Sequence, residues 1–240
     1  MKINKLIIFS LLFYISSCTL VTPPADKKHI AEDSKISSIK ASEKKKKFFD
    51  FMRPIINDEN SKVLELREKL LLAKKYHNNK TMAADTAKNY RVTWQPGKED
   101  WVELLERVDA VALELALAQS ANESAWGQSR FAKQGNNYFG QWCFKKGCGI
   151  VPARREKGKT HEVARYESVN DSVRSYIKNI NTVTAYAPLR AARKNDRAAG
   201  KQPDAIAQAD GLLKYSQRRE AYVKEIRALI RANQKLMLGI

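Results

Sequence analysis

The stretch from Leu113 to Phe139, LELALAQSANESAWGQSRFAKQGNNYF, decides the fold. Residues 113–124 contain no Gly or Pro, and most of their side chains are small or aliphatic on every side. This pattern predicts a helix that is buried all round. Helical spacing predicts that Gln119, Glu123 and Trp126 share one face near its end. We therefore expect the domain to be organised around this helix.

Glu123 ends an apolar helix, where a carboxyl group is costly to bury unless it is paired, neutral or open to a cleft. Gly135 and the two asparagines after it predict a turn, and Tyr138, Phe139 and Trp142 supply flat rings. Rings and amides around a half-buried carboxyl group suit a carbohydrate cleft. A lone Glu in a helix is more often a solvated or salt-bridged residue, so its neighbours decide the interpretation.

The run of residues from Gln119 to Gly140 resembles the glucosaminidase domains that cut peptidoglycan, and in particular the bacterial Bax family, which is unrelated to the apoptosis regulator of that name. The resemblance covers about residues 48–235 and is carried by the stretches AQSANESAWGQSRFA, GNNYFGQWCF, GCGIVP and HEVARYESV. It implies a lysozyme-like fold. It also implies a glycoside hydrolase of the endo-β-N-acetylglucosaminidase type that acts on the glycan backbone of peptidoglycan.

Hydrophobic periodicity predicts further helices. Between residues 150 and 166, two apolar runs flank a polar turn, which predicts a small antiparallel hairpin. Ser168 and Asp171 have the spacing of a capping box. The other predicted helices cover residues 63–75, 85–91, 100–108 and 186–199, a short segment capped by Asp204, and a last one from Ser216. The fold class is therefore mainly α with one small β-hairpin (α+β), with a helical N-terminal section at residues 48–95 and a catalytic domain at residues 96–235.

The start of the chain has the layout of a bacterial export signal, which we assign to residues 1–17. Its apolar run is too short for a transmembrane helix. The sequence Ile15-Ser16-Ser17-Cys18 resembles a lipobox, so we expect Cys18 to carry a lipid anchor on the periplasmic side of the envelope. Thr19 after the Cys favours the outer membrane. An ordinary signal peptide that contains a Cys is the alternative, and residues 18–47 predict a flexible basic tether.

Three cysteines are present, and an odd number in an exported protein needs an explanation. Lipidation of Cys18 leaves Cys143 and Cys148, which could close a small disulfide loop in the oxidising periplasm. Two free thiols in a reduced compartment are the alternative. Only His161 lies nearby, and no four-ligand set is visible, so we expect no metal and no cofactor.

The formal net charge of +18 favours anionic partners such as nucleic acid, anionic lipid or cell wall. The basic residues are dispersed, no nucleic-acid-binding module is evident, and an exported chain seldom meets nucleic acid. We therefore expect peptidoglycan glycan strands as the partner, together with the membrane through the lipid anchor. We also expect a monomer.

Cleavage of a glycosidic bond needs a proton for the leaving oxygen and stabilisation of an oxocarbenium-like carbon. Desolvation raises the pKa of a carboxyl group, which makes Glu123 the predicted general acid. For the second role, the resemblance implies either a carboxylate on the hairpin or assistance from the acetamido group of the substrate. We favour Glu156 over Glu162, although a solvated turn charge is the simpler interpretation of both.

Tyr186 and Tyr166 match tyrosines that the family places at its cleft, which implies a catalytic role for Tyr186 and substrate binding for Tyr166. Core packing with satisfied hydroxyl groups is the alternative for both. Asn136 and Asn137 could bind sugar hydroxyl or acetamido groups, or could serve only a turn with left-handed backbone. The predicted substrate-binding residues are Gln119, Trp126, Asn136, Asn137, Phe139, Trp142 and Tyr166.

Two other functions fit the same sequence. A lytic transglycosylase also uses a helix-terminal Glu-Ser and would leave anhydro-muramyl ends on its products. A non-catalytic wall-binding scaffold would bind sacculi without releasing reducing sugar. A metal-dependent or nucleotide-dependent enzyme is disfavoured, because no ligand cluster and no phosphate-binding loop is evident.

Overall fold

The computed structural model describes residues 27–240, with side chains from residue 37 onward. The predicted signal peptide and Cys18 lie outside the described residues. The chain divides into two units, residues 1–40 and residues 41–240, and every site discussed below belongs to the second. No helix between residues 27 and 240 has both the length and the apolar content that a membrane crossing requires.

The second unit is mainly helical, with one small antiparallel sheet, as the sequence predicts. The helices are α1 (Lys27–Tyr76), α2 (Lys80–Asn89), α3 (Trp101–Arg107), α4 (Leu113–Glu123), α5 (Arg130–Gly135), α6 (Val169–Thr182), α7 (Ala187–Ala198), α8 (Ala205–Asp210) and α9 (Glu220–Leu238), with a 3₁₀ turn at Thr184–Tyr186. The strands are β1 (Trp142–Cys143), β2 (Gly149–Ile150) and β3 (Glu162–Ala164).

The sheet contains the predicted hairpin and one strand more. β2 and β3 pair antiparallel, with Ile150 opposite Val163. β1 pairs with the other edge of β3, with Trp142 opposite the same Val163, so the strand order is β1-β3-β2. β1 lies before the stretch of residues 150–166 on which the hairpin prediction rests, and its two residues show no alternation of their own, so it was not predicted. The third strand brings Trp142 beside the central helix.

Helix α1 begins at Lys27, so the part of the predicted flexible tether from residue 27 to residue 47 is helical. No Gly or Pro occurs between Lys27 and Arg53, and Ala, Lys and Glu are good helix formers. The high content of Lys and Ser resembles that of a linker, but it does not prevent a helix. Residues 18–26 lie outside the described part of the chain.

The core surrounds α4, in which every residue from Leu115 to Ala121 is buried. Helices α8 and α9 pack directly on α4. Phe49, Met52 and Ile56 of α1 are fully buried in the same cluster, so the helical N-terminal section contributes to the core of the domain. The predicted helix buried on all sides is confirmed, and it holds Glu123 at its C-terminal end.

A buried ion pair fixes the approach to α4. Asp109, just before this helix, is 2% exposed and accepts hydrogen bonds of 2.7 and 2.6 Å from Nε and Nη2 of Arg197 on α7. Arg193, also on α7 and 1% exposed, donates to the carbonyl oxygens of Asp109 and Ala110. These contacts connect α7 to the residues immediately before α4.

Candidate active site

Glu123, the last residue of α4, is half-buried and faces a cleft of about 260 Å³. Burial raises the pKa of its carboxyl group, and hydrogen bonds from Tyr222 and Asn122 and the charge of Arg218 oppose the shift only in part. We call this space the Glu123 cleft. It is lined by Glu123, Phe139, Gly140, Gln141, Trp142, Asn179, Tyr215 and Ser216.

A chain of buried hydrogen bonds fixes the Glu123 carboxyl group from below. The hydroxyl of Tyr176 donates to Oε1 of Gln119 at 2.7 Å, and Nε2 of Gln119 donates to the hydroxyl of Tyr222 at 3.0 Å. The Tyr222 hydroxyl is in turn hydrogen-bonded to Glu123. Because its oxygen already accepts from Gln119, its own proton points to the carboxylate. Gln119 is fully buried, so it orients this chain beneath the cleft, which differs from the predicted contact with substrate.

The wall opposite Glu123 is a tight loop held by Asn137. The Asn137 side chain, 1% exposed, donates to the carbonyl oxygens of Gln141 and Ala164 at 2.9 and 2.8 Å, and it accepts the backbone N–H groups of Phe139 and Gln141. Asn136 has left-handed backbone (φ 50°) at the end of α5 and donates to the carbonyl oxygen of Tyr166. Both amide groups therefore donate within the protein, which favours the turn interpretation, and the sugar contacts of Asn136 and Asn137 stay a prediction.

Gly140 allows the backbone of this loop to lie close to the Glu123 carboxyl group. Its φ is +63°, and a β-carbon built on it would lie 3.2 Å from Oε2 of Glu123. A side chain at this position would therefore meet both the strain of left-handed backbone and the carboxyl group itself.

Stacked rings support the cleft on its far side. Phe139, 1% exposed, stacks on Tyr176 with ring centroids 4.0 Å apart, and its carbonyl oxygen accepts the hydroxyl of Tyr215 at 2.9 Å. Tyr215 stacks on Tyr222 with centroids 5.5 Å apart. Phe139 thus lines the cleft from within the core, whereas Tyr215 faces the space before Glu123.

Trp142 is the one predicted sugar-binding ring whose side chain is widely exposed, at 55%. It stacks on His161 with centroids 4.0 Å apart and lies at the mouth of the Glu123 cleft.

Trp126 does not share the face of Glu123, and that prediction is wrong. Helix α4 ends at Glu123, and left-handed backbone at Trp126 (φ 60°) directs its ring onto Phe48 and Phe49 of α1.

Tyr186 and Tyr166 do not line the cleft, but each forms a hydrogen bond with a residue that does. Tyr186 is 7% exposed, and its hydroxyl is hydrogen-bonded to Asn179, which lines the cleft. The hydroxyl of Tyr166 lies 2.9 Å from Oε1 of Gln141, another lining residue. Each tyrosine therefore positions an amide that lines the cleft, and a direct contact of either tyrosine with substrate stays a prediction.

The two hairpin carboxylates have separate surroundings. Glu162 is 5% exposed and accepts the backbone N–H groups of Gly147 and Gly149 at 2.9 and 2.8 Å, which lowers its pKa. Glu156 is exposed in the turn between β2 and β3 and does not line the Glu123 cleft. Glu123 is the only carboxylate among the described residues that line this cleft.

The match to known proteins agrees with this geometry. A family model described as mannosyl-glycoprotein endo-beta-N-acetylglucosaminidase, the glucosaminidase family, matches residues 98–235. The chain belongs to this family. It is 33% identical over 201 residues to Protein bax of Escherichia coli (strain K12), an alignment that covers 81% of this chain and 71% of that protein. No solved structure matches the chain. The resemblance to Bax-like glucosaminidase domains is therefore confirmed, and with it the lysozyme-like fold class.

In this glucosaminidase domain, Cys143 and Cys148 form a disulfide with their Cα atoms 6.2 Å apart. Together with Glu162 they are the only group of His, Cys, Asp or Glu residues between residues 37 and 240 that lies close enough to hold a metal ion. The disulfide leaves no thiolate to act as a ligand there. The loop that they close follows Trp142 directly.

Sequence reasoning missed several residues of the glucosaminidase cleft: Gln141, Asn179, Tyr215, Ser216 and Tyr222. Tyr222 lies in the last predicted helix, whose pattern gives no reason to place it near a cleft. Tyr215 lies between α8 and α9, where no helical or strand periodicity is present. One signal in the sequence could have drawn attention to Tyr215 and Tyr222. They are two aromatic residues close together near the C-terminus, whereas most of the predicted ring residues lie near Phe139 in the chain.

Proposed function

We propose that this glucosaminidase domain is a peptidoglycan hydrolase that cleaves N-acetylglucosaminyl bonds within glycan strands, with Glu123 as the general acid. The observation that carries the proposal is the position of Glu123, half-buried at the edge of a cleft and with its pKa raised by burial. A raised pKa keeps more of the carboxyl population protonated at any given pH, which favours the role of a general acid. The family match supports a glycoside hydrolase in general terms.

The first step would be protonation of the glycosidic oxygen by Glu123 as the bond from that oxygen to C1 breaks. Because Glu123 is the only carboxylate lining the cleft in the described part of the chain, we propose that the acetamido oxygen of the same sugar closes on C1. The Glu123 carboxylate then accepts a proton from water, which attacks C1 and releases the acetamido group. The net reaction is hydrolysis, with Glu123 returned to its acid form.

The remaining lining residues suit an N-acetylated sugar. The side chains of Asn179 and Gln141 can donate to or accept from an acetamido group, and Tyr186 and Tyr166 hold them from behind. The exposed ring of Trp142 offers a flat apolar surface on which a sugar ring can stack.

The test is product analysis on purified sacculi by mass spectrometry. Digestion by the wild type should release fragments with reducing N-acetylglucosamine ends, and Glu123→Gln should digest at least ~10²-fold more slowly. Glu65→Gln, an exposed carboxylate on α1, is the matched control and should digest like the wild type. Anhydro-muramyl ends would assign a transglycosylase instead. Binding of sacculi without any digestion would assign a scaffold.

We also propose export and anchoring through Cys18 on the periplasmic side of the outer membrane. The support is the sequence Ile15-Ser16-Ser17-Cys18 after a short apolar run. The wild type should carry acyl chains and fractionate with membranes, whereas Cys18→Ser should be unprocessed or soluble in the periplasm. Recovery of unlipidated wild type with a different mature end would contradict the anchor and leave the hydrolase proposal intact.

A further inference from the structure

A second groove, of about 570 Å³, adjoins the Glu123 cleft, and Trp142 lines both. The two spaces also adjoin at a second place, because Ser216 lines the cleft and the next residue, Gln217, lines the groove. The remaining walls come mostly from the turn between β2 and β3, which carries Arg154 and Lys159. We call this space the hairpin groove. A polymer seated in the cleft would therefore extend past Trp142 into it.

The hairpin groove is strongly basic. Arg154, Arg155 and Lys159 line it, and Glu156 is its single acidic lining residue in the described part of the chain. The guanidinium of Arg155 donates to the carbonyl oxygens of Thr160 and His161, which closes the turn.

None of these three cations forms an ion pair with a carboxylate among the described residues. Some surface cations elsewhere in the domain do form such pairs, for example Lys46 with Asp50 at 2.6 Å and Arg227 with Asp210 at 2.7 Å. Three cations against one carboxylate, Glu156, therefore leave a net positive charge at one end of the candidate active site, and such a concentration favours an anionic ligand.

Exposed aromatic side chains accompany this charge. Phe144 is 73% exposed and Trp142 is 55% exposed, and both line the groove. Phe144 stands in the loop closed by the disulfide between Cys143 and Cys148, and Glu162 binds the backbone of that loop. The aromatic surface is thus held in place before any ligand arrives, which reduces the entropic cost of binding.

We propose that the hairpin groove binds the acidic stem peptide attached to the sugar next to the one in the cleft. The inference rests on the proposed function, since it assumes that a glycan strand occupies the Glu123 cleft. A stem peptide offers carboxylates to Arg154 and Lys159 and apolar methyl groups to Phe144. The continuity through Trp142 favours a ligand attached to the glycan over an anionic lipid surface. The enzyme then prefers strands that still carry their peptides.

The experiment measures binding with the full chain carrying Glu123→Gln, so that no hydrolysis is needed. The ligands are soluble glycan strands with their peptides, and the same strands after an amidase has removed them. We expect about tenfold tighter binding to the peptide-bearing strands at low salt, and a smaller preference at high salt because exposed charges are screened.

The charge-reversed pair Arg154→Glu with Lys159→Glu should reduce this preference to about one. The matched control is Lys69→Glu with Lys98→Glu, two exposed cations outside the groove that give the same change of net charge and should keep the preference. Thermal unfolding of both double variants checks that they are folded.

Equal binding of the two kinds of strand, or a preference that survives reversal in the groove, would overturn the proposal. It would also be overturned if reversal weakened binding only to vesicles of phosphatidylethanolamine with phosphatidylglycerol, which would assign the groove to a lipid surface. Failure of the proposed function has a separate signature, namely wild-type protein that digests neither kind of strand.

Discussion

A β-carbon at Gly140 would lie 3.2 Å from Oε2 of Glu123, so the loop backbone and the candidate acid meet with no side chain between them. Gly140→Ala should therefore displace the carboxyl group in addition to straining the backbone at φ +63°. We expect digestion of sacculi to fall at least tenfold, because small displacements of a catalytic group are costly to the rate.

The control for this change is Gly200→Ala, at φ +69° with no neighbouring atom within 4 Å of the added carbon. Both variants should lose about 1–2 kcal/mol of unfolding free energy through left-handed backbone, as measured in urea. Only Gly140→Ala should also lose activity. Equal activities of the two variants would show that the close approach of Gly140 to Glu123 does not affect sacculus digestion.

The Tyr222 hydroxyl stabilises the charged form of Glu123 and so lowers a pKa that burial raises. Tyr222→Phe removes this donor, which should raise the pKa of Glu123 further. The carboxyl group then stays protonated to higher pH, and the basic limb of the pH profile of kcat/KM should move upward. The measurement is sacculus digestion across the pH range.

Tyr215→Phe is the matched control, because that hydroxyl donates to the carbonyl oxygen of Phe139 and not to Glu123. Its basic limb should stay close to that of the wild type. A limb that moves downward in Tyr222→Phe, or one that moves equally in both variants, would remove Tyr222 from the control of Glu123. Tyr222→Phe should also lose about 1–3 kcal/mol of stability, because Nε2 of the buried Gln119 loses its acceptor.

Glu123 should destabilise the folded state as the pH rises. Its folded pKa is above the ordinary value of 4.5, so the unfolded chain ionises first and the folded state loses relative stability above that pH. Glu123→Gln has no such loss. The melting temperatures of variant and wild type should be close near pH ~4, and the variant should melt higher at pH ~7.

Glu162→Gln provides a control of opposite sign. Hydrogen bonds from Gly147 and Gly149 lower the pKa of Glu162 below 4.5, so its contribution to stability is present above that pH and is lost as the pH falls through the folded value. Glu162→Gln should therefore melt below the wild type at neutral pH, with a difference that shrinks in acid. A Glu123→Gln variant that behaved in the same way would contradict the burial of an unpaired carboxyl group in the cleft.

The disulfide between Cys143 and Cys148 closes a loop with a sequence separation of only 5. In the chain-entropy model a loop of this size gives about 2 kcal/mol, so Cys143→Ser with Cys148→Ser should lose about that much unfolding free energy in urea. Native protein purified without reductant should show no thiol labelling at either position. Labelling of both without reductant would mean that the pair is reduced in the native protein.

Local patterns determined much of what could be predicted. The capping box at Ser168 and Asp171 is present with both reciprocal hydrogen bonds, because its two partners are three residues apart. Helix α4 and the terminal position of Glu123 follow from eleven residues of small, aliphatic and polar side chains without Gly or Pro. Such features depend on neighbours in the chain, so a single sequence contains their cause.

The rest depends on partners far apart in the sequence. Asn137 uses its amide on Ala164, 27 residues later, so its structural role could not be separated from sugar binding. Gln119 bonds to Tyr222, 103 residues away, which turns a predicted cleft residue into a buried one. Trp126 does not lie on the predicted helix face because Ala125, Trp126 and Gly127 all have left-handed backbone. Of these three residues, only Gly127 is of a type that indicates such a backbone in the sequence.

Glu156 was predicted as the second catalytic group, but its exposed side chain lies in the hairpin groove among Arg154, Arg155 and Lys159. If the acetamido group of the substrate assists at C1, Glu156→Gln should keep kcat for sacculus digestion within about threefold of the wild type, well short of the ~10²-fold loss expected when an acid or base is removed. Removing its negative charge should also strengthen, or leave unchanged, the binding of peptide-bearing strands, because Glu156 repels their carboxylates. A fall in kcat of ~10²-fold, with binding intact, would instead assign Glu156 a direct part in catalysis and would require the hairpin to move toward Glu123 when substrate binds.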